Sequence, residues 1–185
     1  MRHLIVLPGN SPKNQEWGEA TAEHFHAWFD EVTVQHYAHW SAGEEWIDLE
    51  RELAQLNAIV ENAPNDTEFV IFAKSVGSIL TFLAVARGIV APSRCAFFGI
   101  PFDMAAAHVF KDDWSPVDSF QIPSVAFHNT HDPTASHDIT GKTIEQHCPG
   151  VIMFVSTDGN DHVYADFATY EPYLIQLLES RTATD

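Results

Sequence analysis

Positive charge is scarce in this chain. Nine Lys and Arg stand against 26 Asp and Glu, for a formal net charge of -17 over 185 residues. Such a chain repels phosphate backbones, which argues against nucleic-acid binding. Cysteine is nearly absent. Cys95 sits in an apolar run and Cys148 precedes Pro149-Gly150, a spacing that fits neither a disulfide framework nor a metal site. Two free thiols in a reducing compartment follow. No stretch approaches the roughly 20 apolar residues of a membrane span. The opening MRHLIVLPGN is too short in its apolar run for a secretory signal. A soluble, cytoplasmic protein without a membrane partner is expected. Repeats, low-complexity tracts and linkers are missing too, and the length favours one domain over 1–185 with no substantial lid. Disorder is excluded by 45% hydrophobic residues in a strong pattern.

What the chain has is alternation. Short apolar runs lie at 3–7, 32–36, 69–73, 95–99, 124–128 and 151–155. Several are continuous, as expected for strands covered on both faces. Helical spacing separates them. Leu49, Leu53, Leu56 and Val60 share a face within 44–62, and Trp17, Phe25, Trp28 and Phe29 within 14–29. Ile79, Leu80 and Leu83 follow Ser75. Val163, Phe167, Tyr170, Leu174 and Leu177 close the chain, with Pro172 dividing that helix or starting its second part. The pattern predicts an α/β protein, a three-layer α/β/α sandwich around a mainly parallel six-stranded sheet. Active crevices of such sheets lie beyond the carboxyl ends of the strands.

Those ends carry the chemistry. Ala73-Lys74-Ser75-Val76-Gly77 follows the third strand and has the small-x-Ser-x-small form of a nucleophile elbow. Many serines at helix starts are only caps, and this one stands out through its partners. The P-loop pattern is excluded because no glycine precedes Lys74-Ser75 at the required position. A serine needs a base, and the base needs an acid to orient it. Asp132 follows the fifth strand and His162 the sixth, the chain order of this fold's triads. Asp103 is the alternative acid. His128 and His131 stand beside Asp132, and Asp158 and Asp161 beside His162. The backbone N–H of Val76 is one candidate oxyanion donor and that of Asn10, in the loop Pro8–Ser11, is the other. Phe102, Met104 and Trp114 could wall a substrate pocket or equally cover the sheet edge. Lys74 is either a solvated lysine or a contact at the crevice mouth. Eleven histidines fall at no recognised metal spacing, so no metal is expected.

IVLPGN with Trp17 downstream, the AKSVG elbow, the HDP turn and the GNDH loop together resemble the compact α/β-hydrolases. The likeness is to small serine hydrolases similar to retinoblastoma-binding protein 9 and its bacterial relatives, and it spans nearly the whole chain. Ala73 and Lys74 stand where that family usually has glycine and histidine. The resemblance implies a minimal α/β-hydrolase fold and a triad of Ser75, Asp132 and His162. The expected activity is cleavage of a small ester, thioester or amide through an acyl-enzyme, with a small-molecule acyl substrate and no cofactor. Peptidase activity is less favoured. The alternative is a catalytically silent binding or scaffolding protein on the same fold. Nothing in the sequence fixes the oligomeric state.

Overall fold

Alternate residues of the central strands are buried to opposite sides, and that alternation organises the molecule. The computed structural model describes residues 1–180. Ile5, Leu7, Ile71, Ala73 and Phe97 join one apolar cluster, and Leu4, Val6, Val70, Phe72 and Phe98 join the other. Because both faces are covered, the strands read in sequence as unbroken apolar runs.

The strands are β1 (Arg2–Leu7), β2 (Glu31–Val34), β3 (Glu68–Lys74), β4 (Arg94–Phe98), β5 (Ser124–Asn129) and β6 (Ile152–Thr157). All neighbouring pairs are parallel, in the order β2-β1-β3-β4-β5-β6. The helices are α1 (Asn14–Phe25), α2 (Ala38–Ala42), α3 (Leu49–Asn62), α4 (Val76–Ala86), α5 (Phe102–Ala105), α6 (Ser115–Asp118), α7 (His137–His147) and α8 (Phe167–Glu179). Helices α1 and α8 cover one face through Trp17, Phe25, Phe167, Tyr170 and Leu174. Helices α3, α4 and α7 cover the other through Leu53, Leu56, Ile79, Leu80 and Ile144. The expected three-layer architecture with a six-stranded sheet is the one observed, and the sheet is parallel throughout. Strand order reverses at β1 and β3, so the ends of these two strands flank the crevice.

Element ends depart from the sequence expectation in three places. The helix predicted over 44–62 starts at Leu49. Asp48 takes the N-cap, accepting from the N–H groups of Glu50 and Arg51 at 3.1 and 3.2 Å, and leaves 44–48 as a loop. The pattern at 14–29 divides into α1 and a single 3₁₀ turn over His26–Trp28. The last helix starts at Phe167 rather than Val163, and Pro172 lies inside it without ending it. Residues 181–185 of the expected domain lie outside the described residues. Among the described residues, no helix is long and apolar enough to cross a membrane.

Candidate active site

Ser75 joins β3 directly to α4 with φ 53 and ψ -122, a conformation unfavourable for any side chain but glycine. What holds it is the packing around it. Its N–H donates to the Phe98 carbonyl on β4 at 2.9 Å. Gly77 lets α4 lie against the end of β1. A Cβ there would stand 2.1 Å from the Leu7 oxygen and 2.7 Å from the Pro8 oxygen. Val76 opens α4, so its N–H is among the helix donors that lack an intrahelical acceptor. The same close approach sets Leu7 and Pro8, at the start of the loop that holds Asn10, beside the elbow.

Asp132 and His162 are brought together by a tie between the β5 and β6 loops. Asn129 accepts from Thr157 Oγ1 at 2.7 Å and donates to the Asp161 carbonyl at 2.9 Å. The backbone of Thr130 bonds that of Thr157, and that of His131 bonds Gly159. His162 Nδ1 then meets Asp132 Oδ2 at 2.7 Å. A carboxylate only accepts, so Nδ1 carries the hydrogen and Nε2 is left as a bare acceptor. Nε2 is buried and has no hydrogen-bond partner among the described residues. No hydrogen bond joins it to Ser75 Oγ there either.

Gly99, at φ +62, separates the two residues. A Cβ on Gly99 would lie 2.8 Å from His162 Cε1, while the preceding Phe98 holds the Ser75 N–H. Imidazole and elbow thus flank one stretch of backbone, Phe98–Gly99.

Asp132 is saturated. Its Oδ1 accepts from the N–H groups of Thr134 and Ala135 at 2.8 and 3.0 Å, and its Oδ2 also accepts from Tyr164 OH at 2.6 Å. Burial pushes its pKa up. The donors from His162, Tyr164 and Thr134 outweigh that and hold it down at about 2. The carboxylate is therefore ionised at any neutral pH. Tyr164 itself is buried, at φ 55, with its carbonyl held by Trp17 Nε1 at 3.0 Å. Burial, then the bond to Asp132, pushes its phenol well above its ordinary pKa, so it remains a donor. No sequence motif marks Tyr164. Only its position two residues past His162 could have suggested it.

Lys74 is buried rather than solvated. It continues β3, and the alternation of that strand sends its side chain under α1. There Nζ donates to Asn14 Oδ1 at 2.6 Å and lies 5.6 Å from the centroid of Trp17. Burial lowers its pKa to about 8, against the raising pull of Asp132 and Asp161.

A cleft of about 400 Å³ opens along the Asp132 loop, bordered by Asp103, Thr130, Pro133 and His137. Another of about 390 Å³ lies between the β6 loop and α8, bordered by Asp158, Asp161 and Tyr170. Ser75 borders neither. Asp103 makes no hydrogen bond or ion pair with a histidine among the described residues and accepts from the Met104 N–H. Phe102, considered as a pocket wall, is fully buried and packs on Phe82 and Trp114 in the core. Trp114 stacks on His147 at 4.6 Å. Met104 is exposed. None of the three borders either cleft. His128 is buried, bonding the Ala135 carbonyl at 3.0 Å, which takes it out of the crevice. Among the described residues, no cluster of three or more His, Cys, Asp or Glu side chains is placed to hold a metal ion.

A parallel six-stranded sheet between helical layers, with a strained residue turning β3 into α4, is the α/β-hydrolase fold. Solved structures similar to this chain are hydrolases of that superfamily. Est1E from Butyrivibrio proteoclasticus, solved with ferulic acid bound, is 14% identical, with 97% of this chain and 90% of that chain covered and a TM-score of 0.72. The Pyrococcus furiosus esterase Pf2001 is 14% identical, with 96% and 80% covered and a TM-score of 0.73. Acyl-protein thioesterase 2 from Zea mays is 12% identical, with 96% and 94% covered and a TM-score of 0.60. No protein-family model matches the chain. No curated protein sequence matches it.

Proposed function

We infer that the chain is a serine hydrolase that cleaves a small ester, thioester or amide through an acyl-enzyme. The observation that carries this reading is the closed Asp132–His162 pair at 2.7 Å with the far imidazole nitrogen bare and buried. Est1E, Pf2001 and the maize thioesterase add support at the level of fold.

In the first half-reaction Ser75 Oγ bonds to the substrate carbonyl carbon and its proton passes to His162 Nε2. The carbonyl oxygen becomes an oxyanion, received by the N–H groups of Val76 and Asn10. Asp132 holds the imidazole by Nδ1 and stabilises it once it is protonated. Collapse breaks the bond to the leaving group, which takes the proton from Nε2. Water then repeats the sequence: it loses a proton to Nε2, attacks the acyl carbon, and releases the acid as Ser75 regains its hydrogen. No step draws on a cofactor. The acidic clefts favour uncharged or cationic substrates over anionic ones and disfavour nucleic acid. The two buried free thiols support a reducing, cytoplasmic setting.

Hydrolysis of a short-chain p-nitrophenyl ester tests the reading. His162→Ala should lower kcat by about 10²–10⁴-fold, and Ser75→Ala should abolish the acyl-enzyme route. Wild-type protein without turnover would favour a silent binding protein instead, and full turnover by Ser75→Ala would overturn Ser75 as the nucleophile.

A further inference from the structure

Three residues of one short segment bond the loop after β1. Tyr37 OH donates to the Pro8 carbonyl at 2.8 Å. His39 Nε2 and Trp40 Nε1 both reach the Asn10 carbonyl, at 2.7 and 2.8 Å. A carbonyl oxygen only accepts, so His39 carries its hydrogen on Nε2, and two donors fill both lone pairs of the Asn10 oxygen. The Asn10 side chain is also held at both ends. Its Oδ1 accepts from the Ile47 N–H at 2.9 Å and its Nδ2 donates to the Glu45 carbonyl at 2.9 Å.

These bonds constrain one peptide. With the carbonyl and side chain of Asn10 anchored, the chirality at Cα sets the direction of its N–Cα bond. On the other side of Gly9, Tyr37 anchors the Pro8–Gly9 peptide. The Gly9–Asn10 peptide, which carries the Asn10 N–H, is thereby held from both ends.

The helix that holds His39 and Trp40, with Tyr37 as its N-cap, has only five residues and cannot stand alone. A buried network fixes it. Glu52 is fully buried; its Oε1 accepts from the Ala38 N–H at 2.9 Å and its Oε2 from Gln35 Nε2 at 3.0 Å. Buried carboxylates and amides are costly unless bonded, and here they bond the first turn of α2.

We propose that Tyr37, His39 and Trp40 are positioning residues that aim the Asn10 N–H at the oxyanion without touching substrate. This rests on the hydrolase reading above. An oxyanion donor works only at hydrogen-bond range of the developing charge, and small misplacements of catalytic groups cost up to about 10²-fold in rate.

The test compares Trp40→Phe, Tyr37→Phe, His39→Leu and His39→Gln. Tyr37→Phe removes a single donor and keeps its ring, and Trp40→Phe removes a single donor while replacing the indole with a smaller phenyl ring. Ester turnover and inhibition by an alkyl boronic acid, which mimics the tetrahedral intermediate, are measured on each. Trp40→Phe and His39→Leu should lower kcat by about 10-fold or more, with KM changed less than about twofold, and should weaken the boronate by the same factor as kcat/KM. His39→Gln should recover much of the loss, because its amide N–H can reach the same carbonyl. Trp40 is only partly buried whereas Tyr37 is almost fully buried, so Trp40→Phe reports even where Tyr37→Phe does not fold. Wild-type turnover with unchanged kcat in Trp40→Phe and His39→Leu would overturn the positioning role alone. A loss of kcat without loss of boronate affinity would overturn it too. A wild type that neither turns over ester nor binds boronate would overturn both this role and the hydrolase reading.

Discussion

Tyr164 OH and His162 Nδ1 converge on one carboxylate oxygen, Asp132 Oδ2, at 2.6 and 2.7 Å. The tyrosine therefore helps to fix the acid that fixes the imidazole. Hydrogen bonds to charged groups are worth about 1.5–3 kcal/mol. Tyr164→Phe should cost about that much stability and lower kcat while leaving KM nearly unchanged. It should also flatten the acid limb of the stability curve. A carboxyl held at about 2 in the fold against 3.8 otherwise stabilises the protein above pH 3.8 and loses that contribution as pH falls to about 2. Removing the Tyr164 donor raises the folded value and shrinks the effect. Urea unfolding of both proteins between pH 2 and 5 checks it.

Gly77 is required by contact with backbone, not with a side chain that could step aside. A Cβ there stands 2.1 Å from the Leu7 oxygen. Overpacking typically costs about 1–3 kcal/mol, and more where backbone must retreat. Gly77→Ala should fall at or beyond the upper end of that range. It should also lose activity out of proportion to the fraction unfolded, because the Pro8–Ser11 loop is displaced with α4. Chemical denaturation alongside ester turnover measures both.

Lys74 makes stability rise with pH as Asp132 does, but in an alkaline window and because its charged form is disfavoured rather than favoured. Burial lowers its pKa from 10.5 to about 8, so the fold disfavours its charged form. Below pH 8 the wild type carries that cost in full, about 3 kcal/mol, and it disappears as pH rises to 10.5. The stability of the wild type relative to Lys74→Met should therefore rise between pH 7 and 10.5. Groups titrating in both proteins cancel in the difference. A difference independent of pH would contradict the burial of a lysine with this depressed pKa.

The clefts beside the site carry Asp103 and Asp138 on one side and Asp158, Asp161 and Asp166 on the other. With a net charge of -17, an anionic substrate should be repelled over several ångströms. An ester with a carboxylate in its acyl group should show kcat/KM rising with salt, and its uncharged counterpart should show almost none of this. The comparison between about 0.01 and 0.5 M salt spans strong to weak screening.

The strands were legible because burial on both faces leaves continuous apolar runs, and the elbow was legible because a strained turn needs small neighbours. The order of Ser75, Asp132 and His162 along the chain pointed to one crevice, and the structure brings the last two into contact. Lys74 was not legible. Its burial depends on β3 running one residue past the apolar stretch, so that strand alternation turns it under α1. Tyr164 was missed because its role depends on a left-handed backbone at φ 55 and on Trp17, which is remote in sequence. Phe102 and Trp114 were ambiguous for a simpler reason: the wall of a pocket and a core have the same composition. The loop 44–48 was read as helix because its acidic residues suit a first turn, whereas Asp48 is the cap.

The central claim is that Ser75 is a nucleophile served by His162 and Asp132. Its most direct measurement is the intact mass of the protein after exposure to a fluorophosphonate, followed by peptide mapping. The account predicts one adduct per chain, on the peptide that holds Ser75, absent in Ser75→Ala and strongly slowed in His162→Ala. No adduct on folded wild-type protein, or an adduct that persists in Ser75→Ala, would contradict it.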